Sequence, residues 1–338
     1  MSLKLLLKRG ALLAAANWPV IAIQFVAATT FQVLLAVPVI GAAILVAVFF
    51  GADLGPLLQG SMREIFTTVT SALMSEPVAL GAFVAAFAAV LFGGSALMFL
   101  VKGGTVHVFI AAHRVAGPIE REPITIDALQ TASTFTLDRF TAGCSRLFKP
   151  YLAVGLTLIA VYAISGGAYL VFVIYGYRAA TDRFLVVGWT FVVALSTALL
   201  VAWITLANLL YLLMQISIAA EGEPTTAPMA VLRFIRAEFR ELAAVFGVVL
   251  ALVVVATLAS ALAWTGVGLV AFVPLVGLAV LPLQLAALVV RGLVFEYLGM
   301  TALGAYVTLY LDHMERNRAM AAEAAGRSRL TTVLERPA

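Results

Sequence analysis

Residues 184–220 read FLVVGWTFVVALSTALLVAWITLANLLYLLMQISIAA. A run this long and this apolar has no place in a water-soluble domain. It matches the roughly 20 mainly apolar residues that a helix needs to cross a bilayer. It does not alternate at period two, as the strand of a membrane barrel would. Lipid also obliges every backbone amide and carbonyl to be satisfied within the protein, which leaves the helix. The same reading applies to Trp18–Phe50, Val78–Val101, Tyr151–Tyr177, Leu242–Leu275 and Val276–Leu311. The expected fold is therefore all-α, a polytopic integral membrane bundle of about six transmembrane helices.

Composition agrees. The 338 residues are 63% hydrophobic and only 11% charged, against about 25% charged residues in soluble domains. The formal charge of +4 is not a nucleic-acid signature, because the basic residues sit in loops that flank the apolar runs. Cys144 is the only cysteine, so no intrachain disulfide and no thiolate metal cluster is expected.

Lysine and arginine set the orientation. The connections at 51–77 and 178–183 hold only Arg63, Arg178 and Arg183. The other basic residues, apart from Arg291 within a helix, fall at the N-terminus, in 102–149, in 233–240 and after Asp312. This bias predicts both termini in the cytoplasm of a bacterial inner membrane. Residues 51–77 are expected to carry a short amphipathic helix on the outer interface. The Val273–Gly277 segment is expected to be a tight outer turn or a re-entrant piece.

The runs group into three hairpin units, about 1–114, 127–220 and 228–311, followed by a cytoplasmic tail at 312–338. Each unit begins with an amphipathic stretch: SLKLLLKRGALLAAANW, TLDRFTAGCSRLFKPY and MAVLRFIRAEFRELAAVF. Each ends its second helix comparably, in GGTVHVFIAAHR, LYLLMQISIAAEG and TALGAYVTLYLDH. The amphipathic stretches are expected along the inner interface, with Leu3, Leu7, Phe140, Phe148, Phe234 and Phe239 toward acyl chains. Lys4, Lys8, Arg9, Arg139, Arg146, Arg233 and Arg240 would then face phosphates. Helix starts are expected near Asp127 and Pro228, and the tail is expected to fray beyond Gly326.

Catalytic chemistry is sparse. His107, His113 and His313 are the only histidines, and no zinc or phosphate-loop spacing occurs. No enzyme activity and no cofactor is expected. Gly93-Gly94-Ser95 and Ser165-Gly166-Gly167 read as close-packing positions between helices. Polar residues inside the apolar runs carry more information, since lipid drives them toward the bundle interior. Ser95, Lys102 and His113 share one face of their helix. Thr197, Thr205, Asn208 and Gln215 share another. Glu296 lies between Gly292 and Gly299. Lys102, Asn208, Gln215, Arg291 and Glu296 thus form a candidate polar vestibule in the cytoplasmic third of the membrane, with Lys102 as the expected partner of Glu296.

The layout, with RFIRAEFRELAAVFGVVL at 233–250 and RFTAGCSRLFKPYLAV at 139–154, resembles a loose group of bacterial six-helix membrane proteins. The group includes the membrane domain of some glycerophosphodiester phosphodiesterases and free-standing relatives. The resemblance implies a membrane helical bundle; it contains no catalytic motif, so no functional residue is carried over. The expected function is a non-catalytic membrane protein, either an accessory subunit of a membrane assembly or a lipid- or amphiphile-handling component. Its expected partners are membrane lipids and other membrane subunits, not nucleic acid. The alternative is a small-molecule or ion transporter that uses the vestibule.

Overall fold

The computed structural model describes residues 2–50, 77–182, 186–271 and 276–334. The expected outer helix at 51–76 and the turn before Val276 lie outside these residues. Among the described residues the fold is all-α, with nine helices. They are α1 (Leu3–Ala16), α2 (Trp18–Phe50), α3 (Pro77–Val115), α4 (Ile126–Ala132), α5 (Leu137–Asp182), α6 (Val186–Glu221), α7 (Ala227–Ala237), α8 (Phe239–Ala271) and α9 (Val276–Leu334). Six of them, α2, α3, α5, α6, α8 and α9, are long and apolar enough to cross a membrane. The protein is a multi-pass membrane protein of helical-bundle type.

The helices overrun the apolar cores read from the sequence. α3 continues to Val115 and α5 begins at Leu137, so the amphipathic stretch before Tyr151 is the first part of a spanning helix. Pro150 is accommodated inside it. The third amphipathic stretch is split at Glu238 into α7 and the start of α8. α9 does not fray at Gly326. Its 59 residues run to Leu334, about 90 Å at 1.5 Å per residue.

The described residues form two compact units, one of residues 23–101 and one of residues 1–22 with 102–338. In the first, Gly94 on α3 lies against the Phe31 ring of α2, where a side chain would collide with that ring. Gly94 thus keeps the close-packing role expected of it. Gly93, Gly166 and Gly167 have open space beside them, so the remaining glycines of those two motifs do not.

In the second unit burial is concentrated at one end of the spanning helices. The three comparable helix ends supply the core: Val106, Val108 and Phe109 from α3; Leu213, Ile216 and Ile218 from α6; Met300, Leu303 and Tyr310 from α9. Leu6 and Leu13 of α1, Tyr151 of α5 and Phe234 of α7 complete it. The amphipathic segments therefore turn much of their apolar face toward protein. Phe140 and Phe234, expected against acyl chains, are both buried. Phe234 meets the Tyr310 and His313 rings edge-on, with centroids 5.0 and 5.4 Å away. Phe239 is exposed, and Leu3, Leu7 and Phe148 are half-buried.

Two glycine crossings allow this packing. Gly10 of α1 lies against α9, where an added Cβ would stand 2.8 Å from the Ala305 amide nitrogen; at Gly304 it would stand 2.9 Å from Gly10 Cα. Gly103 and Gly104 of α3 face Gly143 of α5, whose added Cβ would come within 2.6 Å of His107 Cβ. Small residues bring the backbones together where larger ones would hold them apart.

Away from this end, the most apolar stretches of α5 and α6 bury nothing inside the protein. Ile164, Leu195 and Leu199 are exposed by well over half. Leaving such side chains in water costs roughly 1.5–3 kcal/mol each relative to burying them, so lipid is the solvent for this surface. The two helices pair with each other, and their polar groups pair across the hairpin. Tyr162 donates to Asn208, Tyr169 and Thr197 hydroxyls lie 2.5 Å apart, and Trp203 Nε1 donates to Ser165 at 3.0 Å.

Candidate functional site

The expected vestibule is not assembled as one site. Asn208 is engaged by Tyr162 within its own hairpin. Arg291 is exposed, its guanidinium 5.8 Å from the Phe295 ring centroid, in a groove between α8 and α9. Gln215 is fully buried; Tyr151 donates to its backbone carbonyl at 2.7 Å, while its own amide nitrogen and oxygen have no hydrogen-bond partner among the described residues. Lys102 and Glu296 alone answer to the pairing drawn from sequence. Their charges interact, without an ion pair of 4.0 Å or less between them. Of the two glycines expected to flank Glu296, Gly299 has open space beside it.

The strongest polar contacts lie at the buried end instead. Arg9 is not at a headgroup. Its Nη1 donates to Glu120 Oε2 at 2.8 Å and to the Gly117 carbonyl at 2.7 Å, and its Nη2 to the His113 carbonyl at 3.3 Å. Both charged side chains are only 10% exposed. A guanidinium there also answers carbonyls left open at the end of α3. Lys8 pairs with Glu122 at 3.1 Å, which holds that exposed carboxyl below its usual range. His113 Nδ1 lies 3.3 Å from Thr308 Oγ1, so the same corner joins α1, α3 and α9. A second network joins α7–α8 to α9: Glu238 accepts from Arg316 at 2.7 Å and lies 3.1 Å from His313 Nδ1.

A groove of about 520 Å³ opens where the ends of α3 and α6 meet the first part of α5. Its polar wall is His107, Arg114, Arg146 and the carboxylate of Glu221, and its apolar floor includes Ile110, Leu147, Pro150 and Ile218. The helix ends are set locally. α3 stops at Gly117, with φ of +53°, followed by Pro118; α6 stops at Gly222, with φ of +82°, two residues before Pro224. Left-handed glycine with a following proline is an efficient helix stop. The Gly222 amide closes α6 by donating to the Ile218 carbonyl at 2.9 Å.

The three groups are differently held. Arg146 Nη2 donates to the Ala219 carbonyl at 3.3 Å. His107 is fixed at its Cβ by the Gly143 crossing and lies within electrostatic reach of Arg114, Arg139 and Arg146. Neither His107 nor Arg114 has a hydrogen-bond or ion-pair partner among the described residues. Of the other basic residues expected at the interface, Lys4, Arg233 and Arg240 are exposed, and Arg139 donates to the Thr134 carbonyl at 2.5 Å. Sequence reasoning placed Arg146 at phosphates but passed over Arg114 and His107, because the groove exists only once three helix ends meet. No known protein family, curated protein or solved structure matches the chain.

Proposed function

We propose that the protein is a non-catalytic component of a bacterial inner membrane that binds phosphate-bearing lipids or similar amphiphiles. The observation that carries this reading is the groove. It offers two arginines and a histidine to an anion, with the one carboxylate of its lining, Glu221, tied to Tyr310, and the floor beside them is apolar. The floor reaches Pro150 of α5, beyond which that helix is exposed and apolar. A headgroup phosphate on Arg114 and Arg146 would thus leave its acyl chains against a surface that already requires lipid. Arginine suits this role through its planar fork of donors.

The test is lipid binding by the purified full chain in detergent, followed by native mass spectrometry. Phosphatidylglycerol should be retained over phosphatidylcholine, and Arg114→Glu combined with His107→Ala should weaken its retention about tenfold. Equal retention of the two lipids, or an unaffected variant, would reject the reading.

The same proposal places both termini in the cytoplasm, on the lysine and arginine bias of the connections. A phosphatase fused after Ala338 that works only in the periplasm should be inactive, and a cytoplasmic reporter at the same point bright. The reverse pattern would turn the topology over.

A further inference from the structure

A second basic groove adjoins the first. It has a volume of about 200 Å³ and is lined by Arg233 of α7 and by Tyr310, His313, Asn317 and Arg318 of α9. The two grooves share one wall residue, Glu221, at the end of α6. Its carboxylate accepts from the Tyr310 hydroxyl, whose oxygen lies 2.9 Å from Ser217 Oγ. The carboxylate is thereby anchored between the grooves, with Arg114 and Arg146 on one side and Arg233 and Arg318 on the other. Arg233 and Arg318 are exposed, and neither they nor Arg114 has a hydrogen-bond or ion-pair partner among the described residues.

A fixed negative charge between two cationic pockets repels an anion that would straddle the middle. It favours two separate anions linked by a neutral spacer. The geometry points to a phospholipid with two phosphodiesters, one seated in each groove, its glycerol-type bridge passing Glu221. This inference rests on the lipid-binding role of the first groove and names the class of lipid for it. Each phosphodiester carries one negative charge and meets two arginines. Linking the two phosphates makes the second contact intramolecular, so affinity rises without any new kind of contact.

The experiment compares tetraoleoyl diphosphatidylglycerol with dioleoyl phosphatidylglycerol, at equal total phosphate, on the full chain in detergent. The two-phosphate lipid should bind at least tenfold more tightly. Arg233→Glu with Arg318→Glu should reduce it to the level of phosphatidylglycerol and leave phosphatidylglycerol itself within about twofold. Both positions are exposed, and an unchanged melting temperature will show that the variant is folded. Inorganic pyrophosphate should not displace the lipid at millimolar concentration. Equal affinity for the two lipids would overturn the inference while leaving the first groove standing. Loss of phosphatidylglycerol in the same variant would also overturn it, because the grooves would not be separate sites. Displacement by pyrophosphate would reject a lipid in favour of a soluble bisphosphate. Failure of phosphatidylglycerol to bind at all, or to respond to Arg114→Glu, would instead remove the reading on which the inference stands.

Discussion

Replacing Arg9 by methionine should destabilise the protein by about 3–5 kcal/mol. The substitution leaves Glu120 charged in a site where only 10% of its side chain meets solvent. It also strips donors from the Gly117 and His113 carbonyls. Glu120→Gln should cost a similar amount from the other side, since the guanidinium then lacks its counter-charge. The double variant should recover part of the loss, because two unpaired charges are removed together; recovery stays incomplete, since the two carbonyls remain without their donor. Unfolding in detergent, followed for the parent, both single variants and the double variant, gives the coupling energy directly. Single variants within about 0.5 kcal/mol of the parent, the range of ordinary surface changes, would show that the pair is structurally idle.

Asn17 should be nearly as sensitive. Its side chain is fully buried at the joint between α1 and α2. The amide nitrogen donates to the Leu13 and Ala132 carbonyls, each at 3.0 Å; the amide oxygen accepts from the backbone amides of Thr134 and Phe135 at 3.0 and 3.1 Å. One side chain thus secures the chain between α4 and α5 to the first helix. Asn17→Ala leaves the N–H groups of Thr134 and Phe135 without acceptors, the buried one at Thr134 costing about 1–3 kcal/mol. Hydrogen exchange at Thr134 and Phe135 should accelerate in that variant. Asn17→Asp keeps the acceptor oxygen, so those two amides should stay slower than in Asn17→Ala even though the donor contacts are lost. Unchanged exchange in Asn17→Ala would refute this account of the joint.

What the sequence made legible follows from which forces are local. Six spans are readable because lipid demands a continuous apolar run, and such runs need no partner to be recognised. Trp18–Phe50 coincides with α2 at both ends. The continuation of α5 back to Leu137 was not readable, because an amphipathic stretch followed by an apolar one looks the same whether or not a break lies between them. Phe140 and Phe234 went to the wrong environment for a related reason. A face that meets acyl chains and a face that meets other helices carry the same residues. Arg9 was placed at a headgroup because its partner, Glu120, lies 111 positions away, and no local pattern connects them. Asn208 was assigned to a shared vestibule from its stripe on α6. Its partner, Tyr162, is on the neighbouring helix of the same hairpin and is invisible to a reading of one helix at a time. Gly10 and Gly304 are ordinary glycines in sequence; only the crossing of α1 and α9 gives them a role. The candidate groove shares this character, since its walls come from three helix ends brought together by that packing.

The pairing inside the α5–α6 hairpin bears on how the chain enters the bilayer during synthesis. Tyr162, Tyr169, Trp203, Ser165, Thr197 and Asn208 all find their partners within two consecutive helices. Once α6 has left the ribosome, these groups are chemically complete, and none of them waits for α8 or α9 to be made. The densely buried end of the protein differs, because Tyr310 must meet Ser217 and Glu221, and Thr308 must meet His113. The order of synthesis therefore allows the hairpin to complete its polar pairing before α9 exists. The last-synthesised helix, α9, then closes the buried end.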